Sequence, residues 1–487
     1  QAAINAGAAT VMINSGELNG IPVHADKKIL TDLLRSELGF KGVAVTDWED
    51  IMKLNNIHMV APTLKDAVYM AIDAGIDMCM VPNDYDFTIL LTELVKEGNI
   101  SEARLDVSVK RILELKKQLG LFEQPFTPAN TDYKKFGSTE FARAAQNMAE
   151  ESITLLKNNN QVLPIQQSAK ILVTGPAANS MTYLNGAWTR TWQGTDTIWN
   201  DQSKYTIREA FNPATTTFIA SDNMSDADVR EKMFTAAKAS DVIIICLGEK
   251  PSTEKVGDID ALTMPDNQQQ LVGLLKSTGK PVVLVLVENR PLIVNDIEPL
   301  CDAIVLAYEP GDYGGLALAN IIYGKVNPSG KLPFTYPRHE ASLLWYDHKH
   351  TETLDQTFGR KAFNPQWEFG YGLSYTTFQY SNLKISNDTL STGNLQISVD
   401  VTNTGTTTGK EVVQFYIADR YASITPSVKR LRGFEKVEIK PGATHIVTFT
   451  ISAKDLAFVG RDEKWISEAG WFDIMLGSEK SSFYLSK

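Results

Sequence analysis

The chain has 487 residues, more than a single hydrophobic core usually holds, so we expect several domains. Its 47 Lys and Arg residues stand against 58 Asp and Glu residues, and the net charge of -11 gives no electrostatic basis for binding nucleic acid or an anionic membrane. No apolar run reaches the length of a membrane span, and the 3 cysteines and 6 histidines match no metal-ligand spacing, so we expect no membrane partner, no metal and no other cofactor.

The first 125 residues predict three β/α units. Apolar runs predict strands, helical periodicity predicts helices, and Thr63 with Asp66 has the spacing of a capping box. The predicted strands cover residues 8–13, 43–45 and 76–81. The main helices cover residues 27–38, 87–97 and 102–119, with another that begins at Thr63 and buries Leu64 to Ile72. A (β/α)8 barrel needs eight such units. We therefore expect residues 1–125 to be the last three units of a barrel whose first five units are absent from this chain.

The stretch from Gly42 to Asp50 is the most informative part of this region. Three apolar residues after Gly42 predict a buried strand, which ends abruptly at Asp47 and Trp48. In β/α architectures the carboxyl ends of the strands face the site, so a carboxylate here is in a position for chemistry. The alternative is that Asp47 only caps the following turn.

The pattern changes after a polar linker, residues 126–150. Residues 151–340 predict an α/β sandwich domain with a mostly parallel sheet, and the strands cover residues 171–174, 242–247, 281–287 and 303–306. Gly175 and Pro176 follow the first of these strands in place of a GxGxxG motif, which disfavours a dinucleotide site. Residues 341–380 predict an ordered linker, and the alternating residues 381–487 predict a β-sandwich.

Two loops of the second domain carry polar and aromatic residues suited to a site. Residues 248–265, after the second strand, carry Glu249, Glu254, Asp258 and Asp260, at the sheet edge where α/β proteins place ligands. A solvated charged face is the alternative. Residues 186–194 carry Trp188 and Trp192, whose flat surfaces suit the apolar face of a sugar ring. The alternative is that these tryptophans only pack between domains.

Several segments in order resemble glycoside hydrolase family 3, of the β-glucosidase type. LRSELGFKGVAVTDWEDI resembles the segment around the family's nucleophile, with Thr46 where Ser is commoner, and GAWTRTWQG resembles a segment of exo-acting members. LGEKPSTEKVGD resembles the acid/base segment, and YEPGDYGGLALANIIYGKVNPSGKLPFTYP and FGYGLSYTTF resemble two more. The tail resembles the family's fibronectin type III-like domain.

The resemblance implies a role for individual residues. Asp47 matches the nucleophile and Glu254 the general acid/base. Trp48 and Trp192 match the aromatic residues that hold the aglycone-side sugar, and Met12 matches a residue of the terminal sugar's pocket. Ser15 stands where many members have Tyr.

The implied function is that of a retaining β-glucosidase, which needs one ionised and one protonated carboxyl group and no metal. Its substrates would be β-linked glucosides or oligosaccharides, from which it would release terminal β-D-glucose. The protein would be periplasmic or secreted, and it could form a homodimer. A β-xylosidase or exo-β-glucanase of the same family is the close alternative. A non-catalytic carbohydrate-binding relative would lack a carboxylate, and a phosphate-using enzyme would need a Gly-rich turn that the chain lacks. We also expect the 487 residues by themselves to be inactive, because most of the sugar pocket would lie in the absent units.

Overall fold

The computed structural model describes residues 1–126, 135–342, 345–352 and 363–486. The chain divides into two compact units, Gln1–Tyr133 and Lys134–Lys487.

The first unit is built on a three-stranded parallel sheet in the order β1-β4-β5. The short hairpin β2–β3 follows the first strand. The strands are β1 (Thr10–Met12), β2 (Glu17–Leu18), β3 (Ile21–Pro22), β4 (Val43–Trp48) and β5 (Met78–Met80). The helices are α1 (Ala2–Asn5), α2 (Lys28–Glu37), α3 (Asp50–Asn56), α4 (Leu64–Ala74), α5 (Asp86–Lys96) and α6 (Glu102–Gln118), with a 3-10 turn at Val23–Ala25. These strands and helices confirm the predicted β/α units.

Local sequence explains how the helix before β5 begins and ends. Asp66 N donates to Thr63 Oγ1 over 3.2 Å, and Thr63 N donates to Asp66 Oδ2 over 3.1 Å, which is the predicted capping box. Gly75 ends the helix with φ of 130°, a conformation that favours glycine. Helix α2 differs from the expectation of an ordinary α-helix, because its backbone hydrogen bonds span five residues.

A buried carboxylate ties the strands of the first unit to its helices. The Asp77 side chain is fully buried and accepts four hydrogen bonds. Arg35 Nη2 of α2 donates over 2.5 Å, Arg111 Nη1 and Ser108 Oγ of α6 donate over 2.8 and 2.6 Å, and Ala44 N of β4 donates over 3.0 Å. One side chain therefore links two helices and the central strand.

The second unit begins with a six-stranded sheet in the order β6-β11-β10-β9-β7-β8. Only β6, at the edge, runs antiparallel to its neighbour, which confirms the predicted mostly parallel sheet. The strands are β6 (Thr154–Asn158), β7 (Ile171–Thr174), β8 (Thr216–Phe218), β9 (Val242–Gly248), β10 (Val282–Val287) and β11 (Ala303–Leu306). The helices are α7 (Thr139–Ser152), α8 (Met181–Asn185), α9 (Ile207–Ala210), α10 (Ala227–Ala239), α11 (Asp266–Lys276) and α12 (Gly314–Ile322). Short 3-10 turns lie at Asn159–Gln161, Thr197–Trp199, Glu254–Gly257, Glu298–Leu300 and His350–Glu352.

This sheet has a core on each face because its central strands β9, β10 and β11 carry no polar side chain and are buried along their whole length. Ile244 and Val285 belong to one core, whereas Ile243 and Leu284 belong to the other. Strands buried on both faces are expected in a parallel sheet covered by helices.

Helix α7 begins within residues 126–150, which the sequence analysis predicts to be a linker, and continues to Ser152. Ser138 Oγ accepts from Phe141 N at the start of the helix, and Ala149 is its one fully buried residue among those described. Phe141, Ala145, Met148 and Ala149 recur at helical spacing, so the signal of a helix was present and the linker prediction overlooked it. Residues 127–134 of the predicted linker, and residues 343–344 and 353–362 of the predicted ordered linker 341–380, lie outside the described residues.

The last part of the second unit is the predicted β-sandwich. One sheet has the order β12-β14-β17 and the other β13-β21-β20-β15-β16, with a core between them. The strands are β12 (Phe378–Ile385), β13 (Thr389–Leu390), β14 (Asn394–Asn403), β15 (Gly409–Asp419), β16 (Arg430–Ile439), β17 (Thr444–Ser452), β18 (Phe458–Val459), β19 (Trp465–Ile466), β20 (Gly470–Leu476) and β21 (Glu479–Leu485), with a 3-10 turn at Ala453–Leu456. Glu151 of α7 pairs with Lys410 of β15 and Lys436 of β16, which links the sandwich to the α/β part. Within the described ranges, no helix is both long and apolar enough to cross a membrane.

Candidate active site

Asp47 lies near the carboxyl end of β4, as its sequence predicted. Its side chain is half-buried, and Oδ1 accepts a hydrogen bond from Trp48 N over 2.7 Å. Thr46 Oγ1 donates to the Asp47 carbonyl oxygen over 2.8 Å and accepts from Met80 N of β5 over 2.9 Å. The side chain of Thr46 therefore fixes the backbone of Asp47 to the neighbouring strand.

Met12 and Trp48 lie at the carboxyl ends of neighbouring strands, β1 and β4. Met12 is 56% exposed and Trp48 is 54% exposed, which is unusual for large apolar side chains at strand ends. Both are thus available for contact at the same edge of the sheet as Asp47.

Sequence reasoning missed a buried charged cluster around Asp50, at the start of α3. Asp50 is 2% exposed and accepts hydrogen bonds from Ser15 Oγ over 2.8 Å and from Lys53 Nζ over 2.6 Å. His24 Nε2 lies 3.3 Å from Asp50 Oδ2 without hydrogen-bond geometry. Burial lowers the pKa of His24, and the nearby Asp50 charge opposes that shift. The cluster fixes the turn that follows Asp47. Of its members, only Lys53 could have been found from sequence spacing, because it lies one helical turn after Asp50.

Glu254 lies in the loop after β9 and is exposed. Its φ of 56° is in the left-handed region, which is uncommon for a residue other than glycine. Trp192 Nε1 donates a hydrogen bond to Glu254 Oε1 over 3.2 Å. Trp192 itself is 46% exposed, so an indole surface lies open beside the carboxylate. The structure thus brings together two residues that the sequence analysis names separately. The backbone N–H of Trp188 donates to the Trp192 carbonyl oxygen over 3.0 Å.

Glu249, the other glutamate of this loop, is engaged elsewhere. Arg290 Nε donates to Glu249 Oε1 over 3.0 Å. Burial raises the pKa of Glu249, and the Arg290 charge opposes that shift. Asp258 and Asp260 are exposed. Of the loop's carboxylates, Glu254 is the one bonded to an exposed aromatic residue.

Two further carboxylates follow the neighbouring strands and were missed from the sequence. Glu288 comes directly after β10 and is buried, and burial raises its pKa to about 8 although Tyr336 Oη donates to it over 2.8 Å. Glu309 follows β11, and burial raises its pKa as well. The signal was available, since each glutamate follows a short apolar run, as Glu249 does.

In the part of the chain that the structure describes, no group of three or more His, Cys, Asp or Glu side chains could hold a metal ion. The thiols of Cys246 and Cys301 are free and buried, and Cys79 is free and partly buried.

Three family models match the chain in order. Residues 1–115 match the glycosyl hydrolase family 3 N-terminal domain, residues 153–375 the family 3 C-terminal domain, and residues 411–480 a fibronectin type III-like domain. The chain is also 33% identical to the periplasmic beta-glucosidase of Salmonella typhimurium over 521 residues, which cover 99% of this chain and 67% of that protein. The chain belongs to glycoside hydrolase family 3.

A second relative is more similar to this chain in sequence. The lysosomal beta glucosidase of Dictyostelium discoideum is 42% identical over 521 residues, covering 100% of this chain and 61% of that protein. A solved β-glucosidase from Erythrobacter marinus is 31% identical with a TM-score of 0.86, covering 100% of this chain and 69% of that one. The family 3 chain thus spans about three fifths to two thirds of the length of these relatives.

Proposed function

We propose that this family 3 chain carries both catalytic carboxyl groups of a retaining β-glucosidase. The substrates would be β-glucosides or β-gluco-oligosaccharides, from which terminal non-reducing β-D-glucose is released. One observation carries the proposal: an exposed carboxylate, Glu254, is hydrogen-bonded to the indole of an exposed tryptophan, Trp192. A proton donor beside an aromatic surface suits a leaving group that is itself a sugar. The names of the Salmonella and Dictyostelium relatives support the choice of glucoside.

The proposed first step forms a covalent intermediate. A carboxylate oxygen of Asp47 attacks the anomeric carbon as the bond to the leaving oxygen breaks, and protonated Glu254 gives its proton to that oxygen. In the second step, Glu254 takes a proton from water, the water oxygen attacks the anomeric carbon, and the bond to Asp47 breaks. Glucose leaves with retained configuration, and both carboxyl groups return to their starting states.

The binding roles proposed for the remaining residues follow from their exposure. Trp48 and Trp192 present open aromatic surfaces to the leaving sugar, and Met12 presents a thioether side chain to the terminal sugar. A carbohydrate-binding protein without catalysis would have the same aromatic residues, so the test must detect the covalent step.

The test is to trap the intermediate in the full-length gene product. A 2-deoxy-2-fluoro-β-glucoside with an activated leaving group should form a stable ester, because the fluorine slows its hydrolysis more than its formation. Peptide mass spectrometry should then place the sugar on Asp47, and the Asp47→Asn variant should stay unlabelled. Labelling of another carboxylate, such as Glu49 or Asp50, would overturn the assignment. Faster labelling by the corresponding xyloside would instead favour a β-xylosidase.

We also propose a location outside the cytoplasm, periplasmic or secreted. Support comes from the relatives, one named periplasmic and the other lysosomal. Fractionation of cells that express the tagged full-length gene product tests it, and recovery in the cytoplasmic fraction alone would contradict it.

Light scattering of the purified protein decides between monomer and homodimer.

A further inference from the structure

A glutamine next to the candidate binding tryptophan holds the backbone next to the candidate acid/base. The Gln193 side-chain amide makes two hydrogen bonds to one residue, Thr253. Gln193 Nε2 donates to the Thr253 carbonyl oxygen over 3.1 Å, and Thr253 N donates to Gln193 Oε1 over 3.0 Å. Both polar groups of the amide are thus used on the peptide groups directly before Glu254.

These bonds join two loops that are 60 residues apart in sequence. Trp192 contacts Glu254 through its indole, and Gln193 contacts Thr253 through its amide, so two consecutive residues of one loop hold two consecutive residues of the other. The residue that receives this support has φ of 56°, a backbone conformation that persists only where surrounding contacts impose it.

The opposite side of the loop is held as well. Asn289 Nδ2 donates to the Ser252 carbonyl oxygen over 3.0 Å, and Arg290 Nη2 donates to Ser252 Oγ over 3.2 Å. Ser252 therefore stays attached to the segment after β10 when the Gln193 contact is removed. Loss of Gln193 should free the Thr253–Glu254 peptide without releasing the whole loop.

We propose that Gln193 is a positioning residue for the acid/base, acting through Thr253 on the direction of the Glu254 carboxyl group. The inference rests on the proposed function, because it needs Glu254 to be the proton donor. A carboxyl group that turns away from the leaving oxygen protonates it less well, and this matters most for leaving groups that need protonation.

The experiment compares Gln193→Ala with Gln202→Ala in the full-length gene product. Gln202 is a matched control, since it lies exposed in the same region and its described hydrogen bond reaches only Asn200. For Gln193→Ala, kcat/KM should fall about 10- to 100-fold on an alkyl β-glucoside and less than about 3-fold on a dinitrophenyl β-glucoside. The larger loss is a part of the full rate gain that general acid catalysis gives, because Glu254 is still present but poorly directed. The control should change neither.

A double variant separates positioning from a merely structural role. In a Glu254→Ala background no acid remains to be positioned, so adding Gln193→Ala should cost less than about 3-fold on either substrate. Equal losses on both substrates, or a full additional loss in the double variant, would overturn the inference. If Glu254→Ala alone shows no dependence on the leaving group, the proposed function fails instead, so the two failures are distinguishable.

Discussion

At the residue scale, the proposed function needs two carboxyl groups, and the two candidates lie in different surroundings. Asp47 is half-buried at a strand end, where a backbone N–H already donates to one of its oxygens. Glu254 is exposed on a loop and receives only an indole N–H among the described side chains. Retaining hydrolysis needs two carboxyl groups with different roles, a nucleophile that is ionised when it attacks and a second group that gives up and regains a proton. Asp47 is held at a strand end and Glu254 lies on an exposed loop, so the two residues can be tested separately by substitution.

Asp47→Ala should reduce kcat on an aryl β-glucoside by more than about 10³-fold, because no other group can form the intermediate. Azide should restore part of the activity and give the α-glucosyl azide, which nuclear magnetic resonance identifies. The exposed Asp32 of α2 provides a control, Asp32→Ala, which should retain full activity. Activity of more than a few per cent in Asp47→Ala, without azide, would rule out this nucleophile.

Glu254→Ala should slow substrates with poor leaving groups about 10² to 10⁴-fold and activated aryl glucosides far less. Glu249→Gln serves for comparison, because Glu249 is held by Arg290. Its losses should be similar on both kinds of substrate. The rate measured against the leaving-group pKa checks this, and a steeper dependence for Glu249→Gln than for Glu254→Ala would exchange their roles.

At the scale of elements, sequence reasoning performed unevenly for physical reasons. The strand β9 is apolar throughout, and the helix α4 carries its own cap at Thr63, so both were predicted from local signals. Helix α7 has the same kinds of signal, a capping Ser138 and apolar residues at helical spacing, but it buries little and the prediction assigned it to a linker. The individual site residues came from motifs, but the contact of Gln193 with Thr253 joins distant loops, and no local pattern encodes it.

The buried Asp77 should be the most sensitive position among the elements of the first unit. Asp77→Ala leaves the guanidinium groups of Arg35 and Arg111 without their buried partner, and should lower the free energy of unfolding by about 3 to 5 kcal/mol. Asp73→Ala is the control, because its contact with Lys27 is exposed and should be worth less than about 1 kcal/mol. Urea unfolding measures both, and equal losses would show that the Asp77 network contributes no more than a surface pair.

The contact between α7 and the sandwich should make stability depend on pH. Burial alone would raise the pKa of Glu151, but hydrogen bonds from Lys410 and Lys436 outweigh it and hold the pKa below its usual 4.5. A carboxylate with a lowered pKa in the folded state stabilises the protein above its ordinary pKa, and this stabilisation is lost as pH falls through the folded-state value.

Glu151→Gln should therefore be less stable than the parent at pH 7, and the difference should decrease as the pH falls below about 4.5. Thermal unfolding of both proteins between pH 7 and pH 3 measures it. The exposed Glu140 at the start of α7 gives the control Glu140→Gln, which lacks these two lysine partners. A difference that stays constant, or increases at low pH, would contradict the pairing.

At the scale of the whole molecule, the two units differ in how completely their sheets are covered. In the described part of the first unit, β1 and β5 each pair only with β4, and Met12 and Met78 are at least half exposed. The larger sheet of the second unit has buried cores on both faces. Parallel sheets are usually covered on both faces, and an unpaired strand edge is easily opened. We therefore expect the first unit to be the less stable one in the chain as printed.

Hydrogen exchange measured by mass spectrometry tests this expectation strand by strand. Amides of β4 should exchange at least about 10-fold faster than amides of β9, because local opening of a poorly covered unit costs less free energy. Trp48 is the only tryptophan in residues 1–133, so the difference in fluorescence between the chain and its Trp48→Phe variant reports on the first unit. In urea, this difference should change before the far-ultraviolet circular dichroism of the whole chain does. A polypeptide that pairs with the edge of β1 or β5 should slow exchange in β4 and leave β9 unchanged. Equal protection of β4 and β9 in the chain as printed, with one coincident unfolding transition, would show that the open edges do not weaken the first unit.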